Sequence, residues 1–408
     1  MRALSLPTMF GLGSLSRDRA RALSVVYASS MALMMGVNFI QPALPALTGP
    51  FAISDSALSL VMTVFTAPAI VLSPVFGVIA DLYGRRLLLA GGLITFGVFG
   101  TAMAFAPSFS WLLALRALQG VGFSAVIPLT IVLIGDLLEG DNEIGGQGLK
   151  VFLDRIGYMI FPPLGGLLAT VAWFWPFTFY ILTIPVGLAA LIWMPETKVR
   201  SGEKALVYLG DMLRLTRHPR LVIAFAAGFL RFFLDYGFLT YFPLFLVRSH
   251  GISTAAAGLL YVFFSIGAMI TSSQAGRIAA GRDKAHILFM SFIVSGAAVV
   301  LVPFVSVWWV GCALFFYGMA NGVISPMQKS LLTQNAPTEL RGGIVSFDRL
   351  IQQVSKTTST AIVGLLLVSA NLSTLFWFLG ILSFLSVGLM ACLVPRPKRS
   401  TVARESVS

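Results

Sequence analysis

Apolar residues run along nearly the whole chain and are interrupted at near-regular intervals, giving about twelve stretches of roughly 20 residues, the length at which one helix crosses a bilayer. Each backbone donor and acceptor in such a stretch must be satisfied inside its own segment, so the stretches are predicted to be helices. With 57% hydrophobic residues, 11% charged residues and a mean hydropathy of +0.89, the chain has too little polar material for a soluble domain. The expected fold is an all-α polytopic membrane protein of twelve transmembrane helices in two pseudo-symmetric six-helix bundles.

The spans of the first half are expected at Leu23 to Leu47, Leu58 to Ala80, Leu87 to Ala106, Trp111 to Ile134, Leu149 to Ala172 and Trp175 to Met194. Those of the second half are expected at Leu221 to Val247, Ala255 to Ala279, Ala285 to Phe304, Ser306 to Lys329, Gly343 to Val368 and Thr374 to Val394. This divides the chain into an N-terminal segment (1–22), a first bundle (23–194), a linker (195–220), a second bundle (221–394) and a tail (395–408).

Basic residues are retained in cytoplasmic loops, and here they cluster strongly. Arg17, Arg19 and Arg21 precede the first span, Arg85 and Arg86 follow the second, and Lys198 through Arg220 fill the linker. Arg282, Lys284, Arg341 and Arg396 continue the series, whereas Arg248 alone falls on the other face. Both termini are therefore expected in the cytoplasm, with the protein multi-pass in the cell (inner) membrane. Trp111, Trp173, Trp175, Trp308, Trp309 and Trp377 fall at the outer span ends as an interfacial belt.

The net charge of +12 is accounted for by inner loops beside an anionic leaflet, so no nucleic-acid partner is expected. The first apolar run is too long, and lacks the small-residue cleavage site, for a removed signal. Cys312 and Cys392 lie inside spans and suggest neither a disulfide nor a metal site. The sequence has no G-x-x-x-x-G-K-[ST] for ATP, and His218, His250 and His286 are scattered. An enzyme is not expected, nor a cofactor or metal.

The halves repeat weakly. Gly36 and Pro42 match Gly237 and Pro243, Gly120 and Pro128 match Gly318 and Pro326, and "FLDRIG" around Asp154 and Arg155 returns as "SFDRLI" around Asp348 and Arg349. Parallel repeats of this kind mark transporters whose substrate sites lie at the repeat interface near the midplane.

Charges inside a span are functional candidates by default. Arg116, Arg231, Asp235 and Lys356 are the deepest. Arg231 and Asp235, one turn apart, form either a static pair or part of a proton path. The Asp154, Arg155, Asp348 and Arg349 pairs lie nearer the inner mouth and are read as structural or gating ion pairs rather than substrate contacts. Asn38, Gln41, Tyr236, Asn321, Gln352 and Lys356 are candidates to line a cavity, with Gln352 and Lys356 on one helical face. The aromatic stripe of span seven either packs helices and faces lipid or walls an apolar pocket.

"GVIADLYGRR", Gly77 to Arg86, resembles the signature of the major facilitator superfamily between spans two and three. Physically, Gly77 lets helices approach closely, Asp81 ends the span, Gly84 permits a tight turn, and Arg85 and Arg86 stay on the inner side. The resemblance implies that Gly77, Asp81, Gly84, Arg85 and Arg86, with Asp136 as partner of Arg85, latch the outward-facing state. In the second-half copy, Gly276 to Lys284, Ala280 stands where the acid would be. "MGVNFIQPALP", "LLALRALQGVG" and the span-five run of Gly148, Gly157, Pro162, Gly165 and Gly166 resemble the twelve-span drug:proton antiporters, with Phe161 in place of the glycine expected before Pro162. That resemblance implies a part in proton transfer for Arg116; a guanidinium does not release its proton, so its part is either to depress the pKa of a nearby acid or to hold substrate.

The reading is a secondary active transporter, a proton-coupled antiporter that exports small amphipathic compounds by alternating access as a monomer in the lipid bilayer. Uptake or facilitated exchange of a small metabolite on the same fold is the alternative. Span one lacks an acid and the deep charges are mostly cationic, so neutral, zwitterionic or anionic substrates are expected.

Overall fold

A computed structural model describes residues 16–139, 141–196, 218–335 and 341–393. Most of the expected linker and the whole tail lie outside the described residues. Among the described residues the chain is helical and contains no strand. Helices α1 (Arg17–Asn38), α2 (Leu58–Tyr83), α3 (Arg85–Ala102), α4 (Phe109–Leu137), α5 (Asp141–Val171) and α6 (Thr183–Trp193) come from the first half. Helices α7 (Pro219–His250), α8 (Thr254–Ser273), α9 (Lys284–Leu301), α10 (Val307–Gln334), α11 (Arg341–Ser369) and α12 (Leu372–Leu393) come from the second.

Ten of the described segments are long and apolar enough to cross a membrane, and Leu372–Gly388 of α12 is a shorter apolar stretch. Helix α11 falls outside that group although it is 29 residues long. Asp348, Arg349 and Lys356, with Gln352 and Gln353, make it too polar to face lipid all round, and it packs instead between α7 and α2.

Several helices begin where a short polar side chain can cap a free backbone donor. Ser108 accepts from the Trp111 N–H ahead of α4, Ser253 from Ala256 ahead of α8, and Asp283 from Ala285 ahead of α9. Helix α1 stops at Asn38 and continues as a short helix, Ile40–Ala43, and a 3-10 turn, Leu44–Leu47. Pro42 and Pro45 lack the donors that would carry the helix on, and the break sets Gln41 facing α7, where its amide donates to the Thr240 hydroxyl at 3.4 Å. Helices α2, α4, α5, α7 and α10 each keep a proline or two inside.

Packing repeats six spans on. Helix α2 packs on α4 as α8 packs on α10; α3 on α4 and α6 as α9 on α10 and α12; α1 on α4 and α5 as α7 on α10 and α11. The repeated glycines share one job. A Cβ on Gly120 would press on the Phe65 carbonyl of α2, and one on Gly318 on the Phe264 carbonyl of α8. The halves meet along α5 with α8 and along α2 with α11, two contacts that exchange under the same repeat.

Hydrogen bonds between the halves run from mid-span to the end away from the basic loops. Thr66 and Thr357 bond at 2.9 Å, Thr63 and Thr360 at 2.8 Å. Ser265 donates to the Tyr158 carbonyl at 3.2 Å and Thr254 to the Gly166 carbonyl at 2.9 Å. At the rim Arg248 donates to Asp55 and Thr48. Below Thr66, toward the basic end, α2 and α11 part. The molecule is sealed at the aromatic end and open at the basic one.

Candidate functional site

The centre of the molecule holds a small polar cavity lined by Asn38 at the end of α1 and Gln41 just beyond it, Arg155 and Tyr158 of α5, Arg231, Phe232, Asp235 and Tyr236 of α7, and Phe264 of α8. Its volume of about 20 Å³ has room for about one water. Asp235 is the acid at its base. One carboxylate oxygen accepts from the Tyr317 hydroxyl at 2.7 Å and from the Asn321 amide at 2.5 Å. Arg231 lies 3.8 Å from the other oxygen and donates at 2.7 Å to the Asn321 carbonyl oxygen. Asn321 therefore ties acid and base together, and the four side chains form one network between α7 and α10.

The span-seven aromatics divide between these roles. Tyr241 and Phe242 are buried in packing, whereas Phe232 and Tyr236 wall the cavity. The Arg231 guanidinium sits 4.8 Å from the Phe232 ring centre, and the Lys356 ammonium 4.7 Å from the same ring and 5.5 Å from Tyr236. Cation and ring attract through the ring's quadrupole, more strongly where water is scarce.

Several expectations need correction. Asn321 does not line the cavity; it stands behind Asp235 as the bridge just described. Gln352 and Lys356, expected on the cavity wall, are not among its lining residues: the Gln352 amide donates to Asp348 at 2.6 Å and Lys356 donates to Gln353 at 2.6 Å. Arg155 is not at the inner mouth and is not paired with Asp154. Asp154 turns into its own half, accepting from Ser30 at 2.6 Å and pairing with Lys150 at 2.7 Å, and Arg155 turns into the central cavity. The same division recurs in α11, where Asp348 accepts from Gln328 at 2.7 Å and Gln352 while Arg349 faces open space between the halves.

Arg116 is apart from this group. Fully buried at 0% exposure, it donates to the carbonyls of Val61 at 3.2 Å and Gly36 at 2.5 Å and to Gln119 at 2.5 Å, and lies 4.0 Å from the Phe65 ring centre. It stitches α1, α2 and α4 together and does not reach the cavity around Asp235.

A second cavity, about 330 Å³, opens between α2 (Ala69, Ser73, Gly77), α4 (Pro128) and α11 (Arg349, Gln353). Gly77 was expected in a close helix contact, yet a Cβ there would meet nothing within 4 Å. At this position the cavity lies between α2 and α11. The rest of the signature forms a compact turn. Gly84 has a φ of +104°, a region that disfavours side chains, and Arg85 is ion-paired with Asp136. The side chain of Asp81 lies outside the described ones. Glu196, which the sequence did not single out, receives the Arg86 backbone N–H at 3.4 Å and pairs with its side chain at 3.7 Å.

The glycines of α5 let it pack closely on both sides, Gly165 on the α1 end within the first half and Gly166 on α8 of the second half. A Cβ on Gly165 would strike the Phe39 carbonyl, one on Gly166 the Thr254 carbonyl, and one on Gly258 of α8 would lie 2.5 Å from the Pro162 carbonyl. Gly157 is looser, with Met34 side-chain atoms at 3.2 Å.

A family model described as the Major Facilitator Superfamily matches residues 26–360. The chain belongs to that superfamily. It is thus a multi-pass membrane transport protein and not an enzyme. Among superfamily relatives, the bacillibactin exporter of Bacillus subtilis (strain 168) is 26% identical over 380 residues, 88% of this chain and 92% of the relative. The quinolone resistance protein NorA of Staphylococcus aureus (strain Mu50 / ATCC 700699) is 27% identical over 190 residues, 46% of this chain and 49% of that protein. The superfamily fold is also seen in solved structures. A D-xylose-proton symporter aligns with a TM-score of 0.75 at 15% identity, covering 93% of this chain and 98% of its own. A bacterial homologue of the human lysosomal transporter Spinster, inward-facing and unoccupied, aligns with a TM-score of 0.72 at 15% identity, over 93% of this chain and 97% of its own.

Proposed function

We propose that this superfamily member is a proton-coupled antiporter that exports small amphipathic compounds across the cell (inner) membrane, with both termini in the cytoplasm. The observation that carries the reading is Asp235, a carboxylate buried at mid-span and held by Tyr317, Asn321 and Arg231 on the wall of a cavity between the halves. A carboxylate whose neighbours change as the halves rock changes its affinity for a proton, and that is the minimum a proton-driven carrier needs. Two relatives carry export or drug resistance in their names, the bacillibactin exporter and NorA, which supports the outward direction over uptake.

In this reading the first half (23–194) and second half (221–394) are the rocking bodies and 195–220 joins them. Arg85 and Asp136 brace the signature turn, which closes against the second half with Asp81 when the basic end shuts. Gly77 then meets α11, and its bare Cα leaves room for that approach. Arg116 acts as a fixed positive charge within the first half rather than as a proton donor.

The test is reconstitution of purified protein in liposomes with an imposed pH gradient. Asp235→Asn should abolish uphill accumulation while keeping substrate binding and downhill exchange. Uphill transport that survives the substitution would remove Asp235 from coupling and leave Asp154 or Asp348 to carry the proton. Loss of binding and folding together would make Asp235 structural.

A further inference from the structure

We infer that the central cavity receives an organic anion with an aromatic body, and that the Arg155 guanidinium contacts its anionic group; this names the substrate class of the transport site proposed above and rests on that reading.

Several arginines of the described helices are held by protein groups, whereas Arg155 and Arg349 line cavities. Arg85 pairs with Asp136, Arg86 with Glu196, Arg116 with carbonyls and Gln119, and Arg231 with Asn321 and Asp235. Arg155 lines the cavity, and among the described residues no hydrogen bond or ion pair holds its guanidinium. Asp154, the acid beside it in sequence, is engaged by Ser30 and Lys150. A guanidinium presents five donors in a rigid fork suited to a carboxylate or phosphate. Holding that fork unpaired between membrane helices is costly, and a ligand anion removes the cost.

The surroundings favour the same class. Lys329 lies within electrostatic reach of Arg155, Arg231 and Arg349, Arg155 within reach of Arg231, and Lys356 within reach of Arg231 and Arg349. The acids among them, Asp235 and Asp348, are both hydrogen-bonded by neutral donors, Tyr317 with Asn321 and Gln328 with Gln352. Basic groups therefore outnumber acids at the centre. Tyr158, Phe232, Tyr236 and Phe264 supply aromatic faces on the same wall, so a flat ring could lie against them while its charged end meets Arg155.

Arg155 belongs to the first half and Arg231 to the second, and both line one cavity. Without a ligand, two like charges face each other across the interface of the rocking bodies. An anion between them turns repulsion into attraction and draws the halves together. The cavity admits about one water, so the ligand enters as the two halves separate around it and is then enclosed between Arg155 and Arg231.

The test compares three probes of one shape on the full chain in lipid nanodiscs: 1-naphthoate, 1-naphthamide and 1-naphthylmethylammonium. Naphthoate should bind about tenfold or more tightly than the amide, as expected for a charge-assisted hydrogen bond, and the ammonium most weakly. Arg155→Gln should erase the preference for naphthoate while leaving amide affinity unchanged. Arg155→Lys keeps the charge without the fork, and should retain the preference in reduced form; it also serves if the glutamine variant does not fold. Equal binding of naphthoate and amide to the native protein, or an undiminished preference in both variants, overturns the assignment. Binding needs no gradient, so the transport reading is judged separately. A pH gradient that drives a cationic dye with no naphthoate binding would overturn the anion and leave export standing; naphthoate binding with no response to a pH gradient would do the reverse.

Discussion

Arg248, at the end of α7, reaches across the interface to Asp55 just ahead of α2, with nitrogen and oxygen 3.0 Å apart. It is the basic residue that breaks the charge pattern of the loops, and the structure gives that exception a partner on the other half. Both side chains are partly exposed, so the pair is worth at most about 1 kcal/mol. Arg248→Ala should shift the balance of outward- and inward-open forms by up to about fivefold toward the outward one. Distances between spin labels at the outer ends of α2 and α7 would register the shift, and an unchanged distribution would remove the pair from the seal.

Asn321 joins Arg231 to Asp235 and is 2% exposed. Asn321→Ala breaks hydrogen bonds to two charged groups at once, each worth about 1.5–3 kcal/mol. The expected result is a clear loss of thermal stability in detergent together with weakened gradient-driven transport, whereas a stable variant with normal coupling would make the bridge incidental.

Within α5 the two ends of the glycine run should behave differently. Gly165→Ala presses a methyl group on the Phe39 backbone, which cannot move aside, and should cost about 1–3 kcal/mol. Gly157→Ala meets the Met34 Cβ and a Phe161 ring carbon, each at 3.2 Å, with no backbone atom among its nearest neighbours, and should cost less. Melting temperatures of the two variants in detergent check the contrast; equal losses would contradict it.

Thr63 and Thr360 face each other at 2.8 Å across the α2–α11 contact. With Cys312 and Cys392 replaced by serine, a Thr63→Cys, Thr360→Cys double variant should form a disulfide under oxidation. Transport should stop and return on reduction, while a thiol reagent at Gly77→Cys, in the cavity on the basic side, should still react. Transport that continues in the cross-linked protein would mean these helices need not separate.

The proposed latch gives a prediction at the other end. Asp81→Asn should leave expression intact and shift the population toward the form open at the basic end, with slower transport. Label distances across that end, between α2 and α11, would show it; no change would remove Asp81 from the latch.

Much of this architecture was legible because a bilayer forces apolar stretches of fixed length. Helix α11 is the instructive case: its span, Gly343 to Val368, reads as one of the apolar runs, yet Asp348, Arg349 and Lys356 keep the helix out of the group apolar enough to cross by hydropathy, and "SFDRLI" echoes "FLDRIG" of α5. The deep position of Asp235 beside Arg231 was legible too, from one turn of spacing. Its bonds to Tyr317 and Asn321 were not, since they join residues 82 and 86 positions away and leave no local pattern. Nor was the divergence of Asp154 and Arg155. Neighbours on a helix point about 100° apart, and which one meets the cavity depends on where α1 offers Ser30 and where Lys150 falls.

The seam that closes the aromatic end has a further meaning. Its rungs from Thr63 to Thr360 and from Thr66 to Thr357 are bonds between hydroxyls. When such a rung parts, water takes each vacated place, and the exchange is close to even in free energy. The fastening therefore holds the shape of the closed end without setting a strong preference for it, and can undo itself rung by rung. Which way the molecule faces then falls to what the centre carries, so that an empty carrier and a loaded one differ in posture although their rims offer the same side chains.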